Sequence, residues 1–147
     1  MADWIILEKK RYLTLKDMSA FANNLNYIRD YLLSFGLNVG KLKDTTVTDY
    51  ISPLEIQQKF NAMEYNIQTL QKVLDSVLKI DIRNFKKYTW GKHPSNLKKE
   101  VWRWIDWFNE VKSWSSRYTY LLDINNEIIT DVNGEALQVL EAYKEED

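Results

Sequence analysis

The sequence predicts a single, mainly α-helical domain: a three-helix core of long heptad-patterned helices, followed by a small C-terminal β-hairpin. Apolar residues recur at alternating steps of three and four along three stretches, two of which begin at clear capping residues. The chain contains only 4 Gly and 2 Pro, which favours long regular elements over loops. After residue 117 the apolar period shortens and turn-forming pairs appear, and this change predicts the hairpin.

The first helix is predicted over residues 15–35. Thr14 is its capping residue, and Asp17 in the first turn suits the helix dipole. Gly36 supplies the C-terminal stop because it tolerates a left-handed backbone. The apolar seam of this helix consists of Met18, Phe21, Leu25, Ile28, Leu32 and Phe35.

The second helix is predicted over residues 53–78. Ser52, Pro53 and Glu55 form a capping-box signature, with a hydroxyl, a proline at the first helical position and an acid three residues after the cap. The third helix is predicted over residues 96–117. The two seams consist of Ile56, Phe60, Met63, Ile67, Leu70, Leu74 and Val77, and of Leu97, Val101, Trp104, Phe108 and Val111.

The first two helices are similar in sequence. A shift of 38 residues places Thr14 on Ser52 and Asn23 on Asn61, whereas other seam positions need a shift of 39. A decayed repeat and two independent, well-capped amphipathic helices both explain this similarity. In either case the matched seams are expected to pack together, and we expect an antiparallel pair. We expect near-complete burial of Met18, Leu25, Leu32, Phe60, Ile67, Leu74, Trp104 and Phe108.

The chain divides into a helical core at 1–117, which includes a short N-terminal extended piece at residues 4–7, and a C-terminal part at 118–147. In the latter, residues 118–124 and 127–132 read as two strands joined by Asn-Asn, and Asn133-Gly134 follows as a second turn. Residues 135–143 suit a short helix slightly better than a third strand. Because a hairpin alone is marginally stable, it must dock on the helices or on another chain.

Composition excludes several kinds of site. There is no cysteine, which excludes disulfides, thiolate metal sites and cysteine nucleophiles, and the single histidine, His93, has no identifiable partner. No cofactor or metal site is predicted; the acids and amides between Asp123 and Asp131 lack the glycine and glutamate of a calcium loop. Neither a secretory signal nor a membrane-spanning run is visible. These features favour a protein without enzymatic activity.

The net charge of −1 is unevenly distributed. Residues 119–147 contain eight acids and one base, so the first 118 residues carry 19 bases and 13 acids. Such polarity suits contacts between adjacent copies in an assembly, and it equally suits a solvated acidic tail. Residues 80–94 alternate bases and aromatics. The stretch is short and the chain is slightly acidic, so we interpret it as a basic connecting loop with core-anchoring aromatics, in preference to a nucleic-acid platform.

Tryptophans are concentrated in and near the third helix. Trp104 belongs to the seam, Trp107 and Trp114 lie on one flank, and Trp102 points nearly opposite. Because one core partner cannot cover all these faces, we predict an interface with other subunits that consists of Trp102, Trp107, Trp114, Tyr118 and Tyr120. The alternative is that the hairpin, the N-terminal piece and residues 80–94 cover the same rings within the monomer.

Three polar residues lie beside the second seam: Asn61, Glu64 and Asn66. We expect both asparagines to act structurally, at the seam edge or across an interface, because a buried amide needs a partner. The order Asn-x-apolar-Glu-x-Asn-Ile-x-x-Leu over residues 61–70 resembles a helix of small tail and baseplate accessory proteins of phages that infect Gram-positive bacteria. In that family an arginine stands at the position of Ala62.

The resemblance implies a structural component of a virion tail, baseplate or neck, assembled in the host cytoplasm. Its partners would be other virion proteins and further copies of this chain. No membrane partner is expected, and the slightly acidic composition argues against nucleic acid. A cytoplasmic helical adaptor or regulator, which binds a single protein client through the tryptophan face, is the alternative from a different class.

Overall fold

The computed structural model describes residues 3–10, 12–47, 52–76, 85–91, 97–115, 118–120, 127, 130, 132–134 and 138–140. The protein is mainly helical. Its elements are helices α1 (Leu15–Ser34), α2 (Pro53–Ser76) and α3 (Leu97–Ser115) and strands β1 (Tyr118–Tyr120) and β2 (Gln138–Leu140). The helix bounds lie within two residues of those predicted from the sequence. Within the described ranges, no helix is both long enough and apolar enough to cross a membrane.

Polar groups close the predicted helix ends. At the start of α1, Thr14 Oγ1 accepts a hydrogen bond from Asp17 N at 3.2 Å, and the Asp17 carboxylate accepts one from Thr14 N at 2.9 Å. At its end Gly36 has φ +78°, and Leu37 N donates to Leu32 O at 3.3 Å. Both the capping box and the glycine stop are satisfied, as their sequence signals predict.

The core lies along the three seams. All eight residues expected to be buried are buried, with exposures of 4% or less. Aromatic rings join the helices: Phe21 of α1 and Phe60 of α2 each contact Trp104 of α3 edge-on, at centroid distances of 6.0 and 5.4 Å. The heptad pattern therefore identified the core-facing side of each helix correctly.

The direction of the helices differs from the prediction. Glu64 and Gln71 of α2 bond to Trp104 and Trp107 of α3 in the same sequence order, so these two helices are parallel. Phe21 of α1 contacts Trp104, and Tyr27 lies near Lys112, so α1 is parallel to α3 as well. The antiparallel α1–α2 pair expected from the sequence is therefore wrong, and all three helices run in one direction.

Chain length permits the parallel arrangement. Helix α2 has 24 residues and is about 36 Å long. The connection between α1 and α2 covers residues 35–52 and can span roughly 60 Å when extended. It can therefore return along the whole bundle before the next helix begins. The spacing of seam residues is the same in either direction, so it could not distinguish the two arrangements.

Three irregular segments occupy the grooves between the helices and run against the helix direction. Segment A (residues 3–10) lies between α1 and α3, segment B (residues 37–47) between α1 and α2, and segment C (residues 85–91) between α2 and α3. In segment A, for example, Ile5 bonds to Asn24 in the middle of α1, whereas the later residue Lys10 bonds to Asp17 near the N-terminus of α1. Segment A therefore runs opposite to α1. The bundle is thus three helices with a returning segment in each groove.

The buried seam residues of the three parallel helices correspond to one another in four sets. The offset is 42 residues from α1 to α2 and 41 from α2 to α3. The sets consist of Met18, Phe60 and Val101; Phe21, Met63 and Trp104; Leu25, Ile67 and Phe108; and Ile28, Leu70 and Val111. This alignment relates the three grooves to one another by an approximate threefold rotation.

Strand β1 pairs with β2 in the antiparallel direction, with Tyr118 opposite Leu140 and Tyr120 opposite Gln138. Residues 138–140 thus match the strand alternative for the stretch 135–143. The hairpin predicted from 118–124 and 127–132 is not tested here, because residues 121–126, 128, 129 and 131 lie outside the described residues.

Candidate functional site

The two motif asparagines on α2 hold connecting segments by their main chain. Asn66 Oδ1 accepts a hydrogen bond from Lys43 N at 2.7 Å, and its Nδ2 donates to Lys43 O at 2.9 Å. Asn61 Oδ1 accepts from Trp90 N at 2.8 Å, and its Nδ2 donates to Trp90 O at 3.3 Å. Each amide offers one donor and one acceptor, which match the two main-chain groups of one residue. The predicted structural role of both asparagines is confirmed.

Glu64 lies between them and joins three parts of the bundle. Its side chain is completely buried. One carboxylate oxygen accepts from Tyr88 N of segment C at 2.8 Å and from the Arg103 guanidinium of α3, and the other accepts from Trp104 Nε1 at 2.6 Å. A buried carboxylate needs such partners to be tolerated. Glu64 therefore ties segment C and α3 to the central helix.

Two opposing effects act on the pKa of Glu64. Burial raises the pKa of its carboxyl above the ordinary value, because the charged form loses its hydration. Hydrogen bonds from Arg103, Trp104 and Tyr88, together with the positive charge of Arg103, lower it, but the net direction is upward. Arg103 itself is positioned by Glu100, at 2.8 Å, and by Lys86 O, at 3.0 Å.

The arginine that pairs with Glu64 comes from α3. Position 62, where the phage pattern has an arginine, holds the buried Ala62. Arg103 reaches the Glu64 carboxylate from the facing helix.

The same face of α2 continues with two glutamines. Gln68 Nε2 donates to Phe85 O of segment C. Gln71 Oε1 accepts from Trp107 Nε1 at 2.5 Å, and its Nε2 donates to Asp75 at 2.6 Å. Trp107, which the sequence placed at an interface, is fully buried within this chain. That part of the interface prediction is wrong, because segment C and α2 together cover the flank that one helix partner could not.

A third asparagine, Asn24 of α1, makes the same contact and was missed by the sequence analysis. Its Oδ1 accepts from Ile5 N at 2.9 Å, and its Nδ2 donates to Ile5 O at 2.8 Å. Asn24 precedes Leu25 in its seam as Asn66 precedes Ile67, with the same offset of 42. The sequence contained this signal, but the shifts of 38 and 39 did not align the two residues.

Trp102 is only partly buried. Its Nε1 donates to Lys10 O at 3.0 Å, and Lys9 Nζ lies 5.5 Å from the ring centroid. Lys9 also pairs with Asp106, one turn further along α3, at 2.8 Å. The indole is thus anchored within the chain and packs, partly buried, against the core.

Beside Trp102 lies a cavity of about 540 Å³ between segment A and the N-terminal halves of α1 and α3. Its wall is mostly apolar, with Leu7, Ala20, Phe21, Val101 and Ile105. Its rim carries apolar side chains in solvent, above all Ile6 at 83% and Tyr12 at 72% exposure. Cavities of this size and lining are typical of binding sites.

The other interface residues predicted from sequence cannot be placed by their side chains. Trp114 lies in the last turn of α3, and Tyr118 and Tyr120 lie in β1, but the structure describes only the backbone at these positions. Residues 123, 125 and 131 of the calcium-like pattern, and His93, lie outside the described residues. In the described ranges, no cluster of His, Cys, Asp or Glu is arranged to hold a metal ion.

The part of the basic–aromatic stretch that the structure describes is segment C. Two of its three rings, Phe85 and Trp90, are buried in the core, whereas Tyr88 is 40% exposed and Lys86 and Lys87 are exposed as well. Buried rings cannot stack on bases. The placement of Phe85 and Trp90 agrees with the interpretation as core-anchoring aromatics, and Tyr88 lies beside the two exposed lysines.

Comparison of the chain with protein-family models, with curated proteins and with solved structures found no match.

Proposed function

We propose that this chain is a non-enzymatic structural subunit of a phage particle or phage-tail-like particle, located in the tail, baseplate or neck. The observation that supports this proposal most is the use of the motif residues. The resemblance to phage accessory proteins rests on Asn61, Glu64 and Asn66. Their polar groups form hydrogen bonds with main-chain and side-chain groups that join parts of the bundle. A motif that organises a rigid core suits an assembly part.

The interface of this subunit is proposed on the Trp102 side of the bundle and on the C-terminal strands. Trp102 lies at the edge of the apolar cavity, beside the exposed Ile6 and Tyr12. Trp114, Tyr118 and Tyr120 remain proposed contacts, together with a hairpin over residues 118–132 whose strand edge could pair with a neighbouring subunit. Trp107 is not part of this proposal, because it belongs to the chain's own core.

Incorporation into particles tests the proposal. We expect Trp102→Ala to leave the protein folded, because the ring is only partly buried, but to reduce its amount in purified particles severalfold. Tyr65→Ala is a matched control, because it removes a partly exposed aromatic ring of α2 away from the cavity. Peptide mass spectrometry of intact particles measures both variants against the wild type.

The alternative is a cytoplasmic helical adaptor that binds a single protein client. Its support is the group of exposed apolar side chains beside the cavity, Ile5, Ile6 and Tyr12, which would suit contact with a client protein. A native mass measurement separates the two proposals. Absence of the protein from particles, together with a soluble one-to-one complex with a host or phage protein, would favour the adaptor.

A further inference from the structure

The cavity beside Trp102 corresponds to a place in a neighbouring groove that a tryptophan of this chain fills. In the groove between α2 and α3, Trp90 of segment C packs against Phe60 and Trp104, at centroid distances of 4.8 and 5.7 Å. In the next groove, between α3 and α1, the aligned residues are Val101 of α3, which corresponds to Phe60, and Phe21 of α1, which corresponds to Trp104. Val101 and Phe21 both line the cavity.

The main-chain anchor is repeated in the same way. Asn61 of α2 donates to Trp90 O at 3.3 Å, and Trp102, 41 residues later at the aligned position of α3, donates to Lys10 O at 3.0 Å. Lys10 of segment A therefore corresponds to Trp90 of segment C. Its side chain turns to Asp17, at 2.8 Å, and leaves the space beside it as the cavity.

Packing alone holds an indole in the filled groove. Trp90 is 1% exposed, yet its Nε1 has no hydrogen-bond partner among the described residues. A buried indole N–H usually finds a partner. The groove accommodates the indole by packing against the rings of Phe60 and Trp104, and the cavity between Val101 and Phe21 likewise has an apolar wall.

We infer that the cavity binds a tryptophan-sized aromatic side chain of a partner protein. The partner is a protein chain and not a free small molecule, because exposed Ile5, Ile6 and Tyr12 extend the apolar surface beyond the cavity mouth. Among the described residues that line the cavity, the charges balance: Lys10 pairs with Asp17, and Glu8 and Lys16 are of opposite sign. A neutral inserted side chain suits this lining. The inference shares Trp102 with the surface proposed above but does not depend on the partner being a virion protein.

Binding of a minimal probe to the isolated full-length protein is the first test. N-acetyl-tryptophanamide is titrated into the isotopically labelled protein and followed by NMR. We expect saturable shifts at Trp102 Nε1–H and at the amides of Ala20, Val101 and Ile105, with half-saturation on the order of 1 mM. N-acetyl-leucinamide should bind at least tenfold more weakly. Equal binding of the two amides, or no saturable shift, would overturn the inference.

A variant that fills the cavity from within is the second test. In Lys10→Trp, the new indole should occupy the place that corresponds to Trp90, raise the Tm by roughly 2–4 °C and abolish the probe-induced shifts. Lys9→Trp is the matched control: Lys9 is the adjacent residue but pairs with Asp106 and does not line the cavity, so probe binding should persist. Probe binding that survives in Lys10→Trp refutes the correspondence of the two grooves.

One further outcome would overturn the assignment of the occupant, and another would separate the cavity from the proposed virion function. The protein could self-associate in a concentration-dependent way, with the association reversed by the probe and abolished by Lys10→Trp. That result would identify a second copy of this chain as the occupant. A failure of Trp102→Ala to incorporate into particles, while the probe still binds at unchanged affinity, would separate the particle interface from this cavity. Conversely, probe binding without any role in particles leaves the site intact and removes only the proposed virion function.

Discussion

Asn24 and Asn66 perform the same task in two different helices. Asn24 directly precedes Leu25 and Asn66 directly precedes Ile67, and both of these seam residues are buried. Each asparagine bonds to the N–H and the C=O of one residue in the segment before its own helix, namely Ile5 for Asn24 and Lys43 for Asn66. The two residues are 42 positions apart, which is the offset that aligns the seams of α1 and α2. The repeated unit of this fold is therefore a returning segment together with the helix that holds it.

Loss of the contact between Asn66 and the Lys43 main chain should lower the stability of the protein. We expect Asn66→Ala to lower the free energy of unfolding by about 2–4 kcal/mol, because two hydrogen bonds are lost and the Lys43 main-chain groups lose their partner. Asn26→Ala, which removes an exposed asparagine from α1, should change it by less than about 0.5 kcal/mol. Urea denaturation measures both. Equal effects of the two substitutions would contradict the role assigned to Asn66.

The seam of α2 is tested by one truncation. Ile67 is completely buried, so Ile67→Ala should cost about 2–5 kcal/mol through lost burial and the cavity left behind. Leu33→Ala, at a position of α1 that is 39% exposed, should cost clearly less. A cost below about 1 kcal/mol at position 67 would show that Ile67 is not part of the packed core.

The upward shift in the pKa of Glu64 predicts a dependence of stability on pH. In the unfolded chain this carboxyl loses its proton near the ordinary value of 4.5, whereas the folded protein retains it to a higher pH. The contribution of this group to stability is therefore complete below pH 4.5 and is lost as the pH rises through the folded pKa.

Glu64→Gln provides the comparison, because glutamine does not titrate. The difference in the free energy of unfolding, wild type minus variant, should decrease as the pH rises from 4 to 8, by about 1.4 kcal/mol for each unit of pKa shift. Urea denaturation at stepped pH values measures this difference. An increase with pH would mean that the Arg103 charge and hydrogen bonds outweigh burial and that the folded pKa is lowered.

Asp44 provides a second pH test, at the surface. Hydrogen bonds from Thr46, through its hydroxyl at 2.7 Å and its N at 3.0 Å, and from Lys59 lower the pKa of this carboxyl to about 2. Its contribution to stability is thus present above the ordinary value of 3.8 and is lost as the pH falls through about 2. NMR titration should show a rise toward 3.8 in Thr46→Val and a smaller rise in Lys59→Met, because Thr46 has the larger influence. An unchanged pKa in Thr46→Val would exclude the hydroxyl as the cause.

The sequence predicted the helices, their caps and their buried sides, because these depend on local spacing and on single capping residues. It could not predict the helix direction, because the spacing of seam residues is the same in parallel and antiparallel packing. The long connection between α1 and α2 permits both arrangements. It placed Trp107 at an interface because a helical wheel considers helix partners only. In the structure, segment C covers that flank, and its position depends on the hydrogen bonds of Asn61, Glu64 and Gln68.

The candidate site was partly accessible from the sequence. Asn61, Glu64 and Asn66 were identified as structural before their partners were known, since amides and acids beside an apolar seam need hydrogen bonds. Arg103 could not be identified as the partner of Glu64, because the pair joins two helices across 39 residues of sequence. The cavity beside Trp102 depends on the relative positions of three elements and has no local signature.

The parallel direction of the helices has a consequence for the speed of folding. In an antiparallel bundle, neighbouring helices meet through short turns, and most contacts join residues close in the sequence. Here the contact between Phe21 and Trp104 closes a loop of more than eighty residues, and even the capture of Lys43 by Asn66 spans a connection and half a helix. Because proteins with many such distant contacts fold slowly, this chain should refold in milliseconds to seconds, as mixed and β-rich domains do, and not in the microseconds reached by simple helical bundles.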